Sequence, residues 1–145
     1  MDAKASLRSV MAGALCCGLT VGPAWATPLP RYGMFVFSSL CRDRMTDDLN
    51  GDRLVLVRLP FHDFGYMEGG DGGFTSAPLE NLSVERGTIA FSYRDEGEAD
   101  KSKAVKNVRS TISAESVELI NWDRKPFRLM RQWKLNGQIP ACPEK

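Results

Sequence analysis

Few residues in this chain could do chemistry, and their spacing argues against most reactions before any fold is considered. The single histidine, His62, is followed by Asp63. An imidazole oriented by a carboxylate is a general base, but adjacent side chains on a strand point to opposite faces, so these two do not bond each other simply. The sequence holds no GxSxG nucleophile elbow. Glu68, Asp71 and Glu80 are the carboxylates a glycosidase pair would draw on, yet a chain this short leaves little wall for a sugar cleft. Counting from Asp48, Asn50 and Asp52 fall at positions 3 and 5 of a calcium loop, but the glycine sits at position 4 instead of 6 and Leu59 takes the place of the bidentate acid. Asp43 to Asp52 therefore reads as a turn with solvated carboxylates, carrying the Asn50-Gly51 signal. Gly69 to Gly73 has no lysine and no helix after it, which argues against a phosphate cradle. No catalytic residue and no cofactor is expected.

What remains points to cross-linking and recognition. Of the four cysteines, Cys16 and Cys17 fall in an expected N-terminal leader; the remaining two, Cys41 and Cys142, are expected to form a disulfide closing 100 intervening residues, because two cysteines and one histidine without CxxC spacing fall short of a metal set. Tyr66, Glu68 and Asp71 flank the Gly-rich segment, an amphipathic anchor with two acceptors, and form the expected binding surface, one that prefers a basic partner. Trp122 and Trp133 stand near Arg124, Lys125, Arg128 and Arg131 and read chiefly as aromatics filling the end of the fold.

The elements that must position these residues begin after a removable leader. Lys4 and Arg8 precede the stretch Ser9 to Gly22, Pro23 ends it, and Ala24-Trp25-Ala26 puts small residues at −3 and −1 of a cleavage site. Residues 1–26 are thus expected to be a signal peptide and 27–145 a single β domain, periplasmic or secreted. The apolar run is too short and Gly-rich for the roughly 20 residues of a spanning helix, so no stable membrane insertion is expected. Neither Cys16 nor Cys17 has the aliphatic residue three places upstream that lipidation requires.

Composition, at 43% hydrophobic and 26% charged, excludes collagen-like, coiled-coil and largely disordered classes. The exported part has no net charge, which argues against nucleic-acid binding, although residues 43–100 carry net −8 and 101–145 net +6. Alternation of period two recurs in short runs: Gly33 to Leu40, Asp52 to Leu59, His62 to Glu68, Asn81 to Glu85, Thr88 to Arg94, Ala104 to Ile112, Ser116 to Asn121 and Phe127 to Trp133. Ile89, Phe91 and Tyr93 share one face, and Arg86-Gly87 turns the chain into them. Gly69 to Gly73 and Asp95 to Lys103 read as loops.

These eight strands predict an all-β fold, an antiparallel up-and-down barrel with a two-sheet sandwich as the alternative, its seam locked by the disulfide. In this the chain resembles the lipocalin-like group of small bacterial envelope proteins, which includes periplasmic lysozyme inhibitors. The resemblance is one of architecture: the Ser-Gly-x-x-Tyr type motif of those inhibitors is absent, Phe64-Gly65-Tyr66 being the nearest segment. The expected function is a non-enzymatic binding or inhibitory module that recognises an envelope protein, as a hydrolase inhibitor or a toxin-immunity partner. A carrier of a small apolar ligand and a small hydrolase using His62 or carboxylates are the alternatives.

Overall fold

A computed structural model of the chain describes residues 27–71, 74–95, 98–100, 104–120, 125–133 and 138–144; the expected signal peptide lies outside them. The described residues form ten strands and no helix: β1 (Gly33–Ser38), β2 (Cys41–Arg42), β3 (Leu49–Arg58), β4 (Asp63–Asp71), β5 (Phe74–Pro78), β6 (Glu80–Glu85), β7 (Thr88–Arg94), β8 (Val105–Ile112), β9 (Ser116–Ile120) and β10 (Pro126–Arg131). They make one antiparallel sheet in the order β5-β4-β3-β1-β10-β9-β8-β7-β6, with β2 on β3. First and last long strands are neighbours, through Phe37↔Arg131 and Ser38↔Met130. The sandwich alternative is thereby set aside in favour of a nearly closed up-and-down barrel.

The path holds nine strands instead of eight, because the chain from β5 to β6 changes partner partway. β5 pairs with β4 and β6 with β7. Between them Leu79 donates its backbone N–H to Gly65 O at 2.9 Å. One interrupted run of backbone thus bridges the two sides of the sheet and leaves little free edge there. A bulge beside this crossing, between Glu80 and Ser83, takes up one extra residue at Asn81, whose φ is 53°.

Two turn assignments are corrected. Asn50 and Gly51 lie inside β3, opposite Cys41 and Gly70 respectively, and the hairpin closes instead at residues 43–48. There Asp43 accepts from Met45 N and Thr46 N through Oδ1, an Asx turn that outcompetes the Asn-Gly signal. Gly69 and Gly70 are also strand residues. A Cβ on Gly70 would lie 2.7 Å from Leu49 O, so these glycines permit close backbone approach where sequence composition suggests a loop. Gly72 and Gly73 lie outside the described residues.

Alternation decides what fills the barrel. Phe35 and Phe37 of β1, Leu54 and Leu56 of β3, Met67 of β4, Ile89 and Phe91 of β7, Ile112 of β8, Val117 and Leu119 of β9 and Leu129 of β10 form one buried cluster. Each fully buried side chain of this kind contributes roughly 1.5–3 kcal/mol relative to exposure.

Candidate functional site

The two ends of the barrel are built differently. At the end where β3 passes into β4, the inward positions of both strands carry charge: Arg58 and Asp63 pair at 3.4 Å, both mostly buried. Arg58 also donates to Pro30 O and Val84 O, at 3.3 Å each. The guanidinium of Arg131, the last inward position of β10, lies 4.5 Å from the centroid of the Phe35 ring. Charged side chains therefore occupy the inward positions here, although the buried Nε of Arg131 has no partner among the described residues.

At the other end, where β7, β9 and β4 finish and β8 and β10 begin, the inward positions do not meet. They enclose a cavity of about 550 Å³ walled by Met67, Phe91, Val108, Leu119 and Phe127. That volume lies within the ~300–1,000 Å³ of small-molecule sites. Val105 and Ile120 place exposed aliphatic surface at its rim. The polar groups in the wall are Asp52, Tyr93, Lys106 and Asn107. A smaller recess of about 120 Å³ shares Asp52, Met67 and Tyr93 with it and runs toward Thr75 and Ala77 of β5.

Asp52 follows directly from strand period. It stands two residues before Leu54 and four before Leu56, so the alternation that buries those leucines turns Asp52 inward as well. Burial pushes its carboxyl above the usual carboxylate value. Its carboxylate has no hydrogen-bond or ion-pair partner among the described residues; only its backbone is bonded, to Ser39. Tyr93 is the inward residue after Phe91 on β7. Burial, with the negative charges of Asp52 and Asp95 adding to it, pushes its phenol up to about 12. Lys106 enters from β8 and is engaged by Glu98 at 3.3 Å. Glu98, which lies in the segment Asp95 to Lys103 read from sequence as a loop, is therefore an ion-pair partner at the cavity edge.

The residues singled out from sequence lie elsewhere. Tyr66 and Glu68 are on the outer face of β4, two positions apart, with Tyr66 exposed. Glu68 is held by Arg53, directly opposite on β3, with a side chain only 16% exposed. Its charge is therefore already balanced within the sheet. Asp71 is placed by its backbone, opposite Asn50 at the end of β4. His62 is exposed and stacks on Phe64 at 6.2 Å, while Asp63 serves Arg58, so the two do not act together. Trp133 lies just past β10, largely exposed, with the Arg131 guanidinium 5.0 Å from its ring centroid; Trp122 lies outside the described residues.

Cys41 and Cys142 are bonded, their Cα atoms 4.7 Å apart. The bond joins the C-terminal tail to β2 and not β10 to β1: Arg42 N donates to Pro140 O and Cys142 N to Arg42 O, at 2.8 and 2.9 Å. Among the described residues no group of three or more His, Cys, Asp or Glu is arranged to hold a metal ion. No helix among them is long and apolar enough to cross a membrane.

Asp52 and Tyr93 are what sequence reasoning passed over. The signal was available in their parity: an acid in phase with Leu54 and Leu56, and a tyrosine in phase with Ile89 and Phe91. Compared with known protein families, curated proteins and solved structures, the chain matches none.

Proposed function

We propose that this chain is an exported binding protein whose β-barrel holds a small, largely apolar molecule at its open end. Carriage of a small ligand is the second of the readings made from sequence, and it is the one the geometry favours. The observation that carries it is the cavity of about 550 Å³ between Phe91, Leu119 and Phe127, apolar in its depth and polar on one wall. A core packed to both ends would have argued for a purely structural barrel. Here charged side chains take the inward positions at one end, and an apolar-walled cavity remains at the other.

The test is saturable binding of N-phenyl-1-naphthylamine, a neutral aromatic dye that fluoresces on leaving water. One site per chain is expected, and Val108→Trp, which fills the cavity, is expected to remove it while circular dichroism stays unchanged. No saturable binding, or equal binding by the folded Val108→Trp variant, overturns the reading.

Recognition of a protein partner is a second reading, and a different surface supports it. At the opposite end Phe61 is fully exposed, with Leu59 and Tyr32 about half exposed beside it. All three border a groove that also contains Arg31, Arg58 and His62. Capture of an envelope protein by the native chain, lost in Phe61→Ser, would support it; equal capture by both would remove this surface.

A further inference from the structure

We infer that the molecule held in the cavity carries a protonated amine, seated against the Asp52 carboxylate with its apolar part on Phe91, Leu119 and Phe127. This rests on the ligand-binding reading above and adds the headgroup to it. The argument is one of unbalanced charge. Asp52 is partly withdrawn from water, and a carboxylate so placed is stabilised by a cation or hydrogen-bond donors that replace the lost solvent. Asp52 has neither among the described residues.

The groups around it do not supply them. From β4, Gly69 offers no side chain, and a Cβ built there would lie 3.6 Å from Asp52 Oδ1, so that flank of the carboxylate is open. From β5, Thr75 directs its hydroxyl to Gly69 O, at 3.5 Å. From β7 come Tyr93 and the exposed Arg94, with Asp95 just past its end. From β8 comes Lys106, whose ammonium Glu98 already balances. From β9 and β10, Leu119 and Phe127 add only hydrocarbon. The wall therefore leaves Asp52 as its uncompensated charge. An ammonium, a compact charge with three donors, completes it. An anionic head would meet the Asp52 carboxylate.

The experiment displaces N-phenyl-1-naphthylamine from the native protein at pH 7 with decylamine, decanol and decanoate, which share one tail and differ in the head, all below micelle-forming concentrations. Decylamine is expected to displace the dye at about tenfold lower concentration than decanol, with decanoate the weakest, on the strength of a pair in a poorly solvated site. In Asp52→Asn the dye is expected to bind as before and decylamine to fall to the level of decanol. Equal displacement by amine and alcohol overturns the inference, as does an amine preference that survives in Asp52→Asn. Displacement led by decanoate overturns it too, and would move the head to Lys106. If Asp52→Asn does not fold, the series on the native protein decides alone. Dye binding without amine preference overturns only the headgroup, whereas failure of the dye to bind overturns the cavity reading and the headgroup with it.

Discussion

The guanidinium carbon of Arg131 lies over the Phe35 ring, 4.5 Å from its centroid, and the group donates through Nη2 to Met34 O at 3.2 Å. It thereby ties β10 to β1 where their own ladder has only two residue pairs, and it sits within 5.6 Å of the Phe37 ring as well. Burial lowers the guanidinium pKa, opposed by the nearby charge of Glu115. Arg131→Ala is expected to lower stability by roughly 1–3 kcal/mol, the sum of a cation–π contact and a charged hydrogen bond. Arg131→Lys should recover only part of this, because an ammonium lacks the planar surface that stacks on the ring. Urea midpoints for the three proteins check both statements; a midpoint unchanged in Arg131→Ala contradicts them.

The disulfide should matter more than any single contact. Closing 100 intervening residues between Cys41 and Cys142 restricts the unfolded chain, an effect of up to about 4 to 5 kcal/mol in the chain-entropy account. Reduction, or Cys41→Ser with Cys142→Ser, is expected to lower the unfolding free energy by an amount of that order, read from the urea midpoint and slope. It should also expose the tail, residues 138–144, to limited proteolysis before the barrel unfolds, since two backbone bonds to Arg42 then remain of the anchorage described above. Simultaneous cleavage of tail and barrel would contradict this.

Asp52 should oppose folding at neutral pH. Burial raises its folded pKa above the ordinary 3.8, so the native state holds the proton more tightly than the unfolded state. Its contribution is therefore most favourable below 3.8 and is lost as pH rises through the raised value. Tyr93, Asp95 and the Lys106–Glu98 pair surround it and carry over unchanged in Asp52→Asn. That variant is expected to have a higher urea midpoint than the native protein at pH 7, with the difference vanishing toward pH 3. A lower midpoint at pH 7 would mean that the carboxylate has a partner.

Tyr93 supplies a spectroscopic readout of the same wall. Its phenol, pushed up to about 12, should appear as a late step in phenolate absorbance that is absent from Tyr93→Phe. Because its folded pKa exceeds the unfolded value of 10.0, stability should fall as pH rises from there to about 12. Tyr93→Phe should flatten that decline, and an unaltered absorbance curve in the variant would refute the assignment.

Arg53 and Glu68 face each other across β3 and β4. Glu68→Lys places two cations opposite, and is expected to cost about 0.5–1 kcal/mol. The exchanged pair Arg53→Glu with Glu68→Arg should restore most of it. A double-mutant cycle on urea midpoints measures the coupling, and a cycle that closes to zero would show that Glu68 is free to serve a partner as its sequence position suggests.

Sequence alone determined the strand period and most of what it buries. Ile89, Phe91 and Tyr93 share a face in any β-strand, Arg86 and Gly87 adopt the positive φ of a tight turn, and Cys41 and Cys142 are the two cysteines beyond the expected leader. These are local properties, fixed within a few residues or by elimination. Tertiary structure decided what depends on partners. Gly69 and Gly70 have a loop composition and became strand because β3 approaches their backbone closely. The disulfide was legible, but its attachment to β2 depended on where the tail returned. Glu68 looked like a free acceptor until the register set Arg53 opposite it. The parity of Asp52 was legible as well, but not what the residue faces. The cavity is the volume left where the inward side chains of six strands converge without meeting, and no single strand carries that information. It is set by the tilt and stagger of the strands around the barrel, which are properties of the closed sheet as a whole.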